Sequence, residues 1–190
     1  TAPLAERFGS RRVMAAGLAV LALTLLPLAM VDTETSYWFL LGPLVLAGAG
    51  LSLAMTPATN DIMVATPYEK AGIGSAVNDT ARELGAALGI ATLGALSTSI
   101  YRNTVDVDIL PPEVAAAAGE SMGAAIEAAY GLAQSGAAGE AAAQATIAET
   151  SQAFATSFAQ TMAISGAVSA VAAVALLAGH LAQSRGRSRV

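Results

Sequence analysis

The chain has 190 residues, of which 55% are hydrophobic and only 12% charged, with a formal net charge of -5. A soluble domain carries about 25% charged residues, so the solubilising surface of an ordinary globule is missing. The absence of cysteine and the single histidine exclude disulfides, thiolate centres and a clustered metal site, and no cofactor is expected.

In chain order, residues 1–12 read as a short basic cytoplasmic loop carrying Arg7, Arg11 and Arg12. They resemble a loop between helices, so the chain is expected to be a C-terminal piece of a longer protein. Residues 13–31 hold no charge, and such a run is read as a membrane-spanning helix. A soluble bundle would need a polar stripe there, and only Thr24 is available. Residues 32–36 form a polar turn. A second span covers 37–64, with Tyr37 and Trp38 as interface anchors. Pro57 is expected to interrupt it and free a backbone carbonyl near Thr56, Thr59 and Asn60. Asp61 lies near its cytoplasmic end. After a turn at 67–70, a third span covers 71–101, so that 13–101 holds three transmembrane helices. Residues 102–153 form an extracytoplasmic Ala/Gly-rich segment. Pro111-Pro112-Glu113 reads there as a helix start, and one or two short helices are expected. The last transmembrane helix is 154–182, with His180 snorkelling at its cytoplasmic end. A basic tail, 183–190, carries Arg185, Arg187 and Arg189.

Four spans place 1–12, 67–70 and 183–190 on one side, with seven of the nine basic residues. The other side holds Asp32, Glu34, Asp106, Asp108, Glu113, Glu120, Glu127, Glu140 and Glu149, with Arg102 as its only cation. The positive-inside rule puts both ends in the cytoplasm. The expected fold class is an all-α membrane protein of four transmembrane helices, multi-pass in a plasma membrane of bacterial inner-membrane type.

The third span carries the densest chemistry. At about 100° per residue, Ser75, Asn78, Asp79 and Arg82 share one face, with Glu83 at its edge. Ile73, Val77, Leu84 and Leu88 occupy the opposite face. Ionisable groups inside a membrane are costly unless paired or facing water, so they are candidates for transport or gating. Asp79 and Arg82, at i and i+3, also suit a structural pair. Ala81, Gly85 and Gly89 form a small-residue packing ridge. No nucleophile and base pair, phosphate loop or catalytic carboxylate pair occurs, so an enzyme is not expected. The arginine tail suits anionic lipid rather than nucleic acid.

Leu4-Ala5-Glu6-Arg7-Phe8-Gly9-Ser10-Arg11-Arg12 resembles the second copy of the cytoplasmic loop motif of the major facilitator superfamily, G-x-L-A-D-R-x-G-R-R. Ala2 stands for the first Gly, Glu6 for Asp, and Ser10 for a basic residue. The stretch from Leu41-Gly42-Pro43 through Gly48, Gly50 and Pro57 resembles a Gly-rich helix of that family. Residues 71–89 resemble the penultimate span of its fourteen-span drug:proton antiporter branch. The resemblance implies that the spans match the ninth to twelfth helices of a twelve-helix core, as part of its C-terminal half. The tenth would line the central cavity and the eleventh would pack between halves. It further implies proton-coupled efflux of amphipathic small molecules by alternating access, together with the N-terminal part of the same transporter. Glu6, Arg7, Gly9, Arg11 and Arg12 would then form a cytoplasmic clamp. The alternative is a non-transporting four-span module that binds partner helices.

Overall fold

A computed structural model describes the backbone of residues 1–187 and the side chains of residues 1–179. The expectations for His180 and the tail arginines fall outside the described side chains. Among the described residues every regular element is a helix: α1 (Ala2–Phe8), α2 (Ser10–Leu28), α3 (Tyr37–Ala65), α4 (Ala71–Thr104), α5 (Pro112–Glu120), α6 (Met122–Ala133) and α7 (Ala137–Arg187), with a short 3-10 turn at Tyr68–Lys70. Four helical stretches are long and apolar enough to cross a membrane: Ser10–Leu28, Tyr37–Ala65, Tyr68–Thr104 and Ala137–Gly179.

The chain divides into two units. The first comprises Thr1–Leu28, Ser36–Ala91 and the chain from Met162 onward. It differs from the expected loop at its start. Residues 2–8 are helical, and Arg11 and Arg12 lie in the first turn of α2. The break falls at Gly9, whose φ of 86° is open to a residue without Cβ. The N–H groups of Arg12 and Val13 both donate to the Gly9 carbonyl, so α2 starts immediately after it. α2 ends at Leu28, one residue beyond Pro27 and short of the expected 31.

α2 and α3 cross in close contact at Gly17 and Gly50. A Cβ on Gly17 would stand 2.6 Å from the Gly50 carbonyl oxygen and 2.6 Å from the Ala54 nitrogen. One on Gly50 would stand 2.9 Å from the Gly17 carbonyl oxygen. Backbones can approach this closely only where both helices lack side chains. α3 continues through Pro43 and Pro57 without a break, and Pro57 is fully buried. The interruption expected at Pro57 is absorbed by packing. Thr66 lies over Gly74, where a Cβ would meet its side chain at 2.6 Å.

The second unit comprises Ala29–Thr35 and Thr92–Thr161. α5 opens with Pro112 in its first turn, and the Ser121 hydroxyl caps α6 by accepting from the Ala124 N–H at 3.2 Å. Leu110, Val114, Ala118 and Ala125 form one small core, and Tyr101, Val105 and Ala153 another. The Tyr101 hydroxyl donates to the Ala118 carbonyl at 2.9 Å. α7 begins at Ala137, well before the expected 154, because the Ala-rich stretch that precedes the apolar run is itself a strong helix former. One face of α7, bearing Ala143, Thr146, Thr150, Ala153, Ser157 and Thr161, is buried.

Candidate functional site

The polar groups of α3 and α4 meet in the first unit. Asn78 is buried, with 7% of its surface exposed, and its Oδ1 accepts from the Thr59 hydroxyl at 3.3 Å. The hydroxyl expected to help satisfy the carbonyl freed by Pro57 is thus spent across the helix pair. Asp79 and Arg82 pair at 3.8 Å, and their side chains are 60% and 56% exposed within the chain. Glu83 is also exposed, as are Ile73, Val77, Leu84 and Leu88 on the other face. Of the candidate residues on α4, Asn78 is therefore the one packed against α3. Arg82 instead borders an open groove with Met55, Thr56, Thr59, Asn60 and Met63 of α3, about 510 Å³ in volume.

A second cavity, about 260 Å³, lies where α1 and α2 meet α3. Glu6, Ser10, Thr56, Pro57 and Asn60 line it, with Thr1, Ala2 and Ala5. Beside it the Ser10 hydroxyl donates to Asp61 Oδ1 at 2.7 Å. Asp61 and the loop residues, singled out separately in the sequence, are thereby brought together. The contact is made by Ser10, one of the three residues that depart from the loop motif. Arg7 lies with its guanidinium 5.4 Å from the centre of the Phe8 ring. On the packing ridge of α4, a Cβ at Gly85 or Gly89 meets no atom within 4 Å. Among the described residues no group of three metal-ligating side chains occurs.

Sequence reading missed Ser10, Met55 and Met63, and the buried hydroxyls of α7. The spacing of Met55, Thr59 and Met63, four residues apart, puts them on one stripe and was the available signal for the groove.

The profile of the Major Facilitator Superfamily matches residues 1–104, more than half of the chain. The chain belongs to the major facilitator superfamily. This membership and the four apolar helices make it a multi-pass membrane protein of a transporter family. It is 36% identical over 122 residues to the multidrug efflux pump LfrA of Mycolicibacterium smegmatis, a match covering 64% of this chain and 24% of that one. It is 37% identical over 130 residues to the methyl viologen resistance protein SmvA of Salmonella typhimurium, covering 68% and 26%. It is 39% identical over 103 residues to the multidrug resistance protein Stp of Mycobacterium tuberculosis, covering 54% and 19%. The matches thus span about a quarter or less of these relatives' length. No solved structure matches the chain.

Proposed function

We propose that this chain is the C-terminal part of a secondary transporter that exports drugs or other amphipathic small molecules by alternating access, coupled to protons. Its relatives LfrA, SmvA and Stp carry names of efflux and resistance. The observation that carries the reading is the polar juncture of α3 and α4. The half-buried Thr59 to Asn78 bond and Arg82 beside the α3 groove put polar chemistry inside the membrane-spanning part. Polar and ionisable groups at that depth face a bundle interior or a water-filled path. Asp79, Arg82, Glu83, Asn78, Asp61 and Pro57 are the gating and transport candidates in this reading. The Ala81, Gly85 and Gly89 ridge is a packing surface for helices outside this chain.

In the same reading the basic segments face the cytoplasm of a bacterial inner membrane, and residues 102–153 lie on the far side. Ser10 and Asp61 join the Glu6, Arg7, Gly9, Arg11 and Arg12 segment to α3 at the cytoplasmic end. The test is export of a fluorescent amphipathic dye from the medium into the lumen of everted vesicles that hold the complete transporter, under an imposed proton gradient. Gradient-driven export that Asn78→Leu impairs at equal protein level supports the reading. A complete protein that moves no solute under any gradient refutes it and favours the helix-binding module.

A further inference from the structure

The second unit has a cavity of its own, about 180 Å³ in volume, built by three parts of the chain. α4 contributes Ser97 and Tyr101, and α7 contributes Phe154 and Ser157, each pair one helical turn apart. The corner between α5 and α6 supplies Glu120, Ser121 and Met122, with Ser121 in extended backbone between the two helices. Gly123 keeps this corner open, since a Cβ there would meet only the Ser121 hydroxyl, at 4.0 Å.

Much of the hydrogen-bonding capacity of the lining is already committed. The Tyr101 hydroxyl donates to the Ala118 carbonyl at 2.9 Å. The Ser157 hydroxyl donates to the Phe154 carbonyl at 2.9 Å, and the Ser121 hydroxyl accepts from the Ala124 N–H. The Glu120 carboxylate is different. It is exposed and, among the described residues, takes part in no ion pair. Around it lie the Phe154 ring, 47% exposed, the Met122 thioether and the ring of Tyr101. The lining has no basic group. Aromatic rings attract cations, and a thioether is polarisable and adapts its shape. Residues 102–153 add a field of the same sign, with seven carboxylates against Arg102, which raises the local concentration of cations.

We propose that this cavity takes the quaternary ammonium or pyridinium head of an organic cation, held between Glu120 and the Phe154 ring. Its volume lies below the range of whole drug-sized sites, about 300–1,000 Å³, so it suits a head group whose apolar remainder stays outside. The site stands on the cavity. Its place on the far side of the membrane, where an exported cation would leave, rests on the transporter reading above. A phospholipid head is a poor occupant, because its phosphate would meet the acidic surface.

The experiment uses the complete transporter purified in a non-ionic detergent, with binding read by saturation-transfer NMR titration. The probes are choline, its neutral isostere 3,3-dimethyl-1-butanol, and phosphocholine. Wild type should bind choline more tightly than either of the others. Glu120→Gln should weaken choline about fivefold, the upper effect of losing a partly exposed ion pair. Phe154→Leu should weaken it about threefold, as for an exposed cation–π contact. Gly123→Leu should fill the cavity and abolish choline binding at an unchanged melting temperature. Glu127→Gln removes an acid of the same segment outside the lining and should leave choline bound. Equal binding of choline and its isostere, equal losses in Glu120→Gln and Glu127→Gln, or a folded Gly123→Leu that still binds would each overturn the proposal. Phosphocholine binding tighter than choline would overturn it in favour of a lipid head. Gradient-driven ethidium uptake into everted vesicles reports separately on transport. Uptake without choline binding overturns the site and leaves the transporter reading intact. Glu120-dependent choline binding in a protein that moves no solute does the reverse.

Discussion

Replacing Gly17 by alanine adds one methyl group at the α2 and α3 crossing. That carbon would sit 2.6 Å from the Gly50 oxygen, 2.6 Å from the Ala54 nitrogen and 2.9 Å from the Leu53 carbonyl carbon. Comfortable non-bonded separations are about 3.5 Å or more, so the helices must part by roughly 1 Å. The obstructing atoms are all backbone, and no side chain can rotate away. Overpacking costs about 1–3 kcal/mol, and this geometry belongs at the upper end. Gly85→Ala is the matched control, because its methyl meets nothing within 4 Å. Both changes gain helix propensity of about 1 kcal/mol, so that contribution cancels between them. Gly17→Ala should therefore be less stable than Gly85→Ala by about 3 kcal/mol. For a chain of this size that is roughly 6–12 °C in midpoint. The assay is thermal unfolding of the 190-residue chain in mild detergent, followed by circular dichroism at 222 nm. Equal midpoints for the two variants would refute the close crossing.

Three further outcomes follow from the contacts described. Ser10→Ala should cost about 1 kcal/mol, near the low end for a bond to a charged acceptor because the contact is exposed; Ser10→Lys should recover stability as an ion pair to Asp61 that weakens with added salt. A double-mutant cycle on Asp79→Asn and Arg82→Gln should give a coupling below about 1 kcal/mol, since the pair is long and open; a coupling several times larger would show that the pair is desolvated in the chain. Asp32 accepts the Thr35 hydroxyl and the Glu34 N–H, which hold its carboxyl below the ordinary value of 3.8. Its folded pKa is depressed, so its contribution is complete above about 4 and lost as pH falls through the lowered value. A carboxyl titration by NMR should find Asp32 ionised below 3.8, and an ordinary midpoint would contradict the turn geometry.

The spans were legible because uncharged apolar runs of this length have few other fates. The pairing of α3 with α4 was partly legible, since Asn78, Asp79 and Arg82 share a helical face, but periodicity did not tell which of them packs. Asn78 is buried while its charged neighbours stay open, a distinction set by what lies opposite, namely Thr59. Gly17 and Gly50 were not legible as a pair, because a glycine in one helix carries no label for its partner in another. The start of α7 was obscured by Gly139 and the Ala-rich composition, where intrinsic propensity and not amphipathic pattern keeps the helix going. Ser10 was read as a departure from a motif. Only the fold brought Asp61 within 2.7 Å of it.

The buried face of α7 has a mechanical consequence. The hydroxyls of Thr146, Thr150, Ser157 and Thr161 each donate to a carbonyl three or four residues earlier in the same helix. Each of these bonds stays within the helix that makes it. Across to α4 there is a hydroxyl contact of 3.4 Å between Ser97 and Ser157, near the limit of a hydrogen bond. A seam built this way packs tightly, yet these hydroxyls do little to lock its axial register. Within the second unit the axial register of α7 rests instead on its outward contacts, Ser157 to Ser97 at 3.4 Å and Glu149 Oε1 accepting from the Asp106 N–H at 3.0 Å, and these are the contacts that any sliding of the helix would have to break.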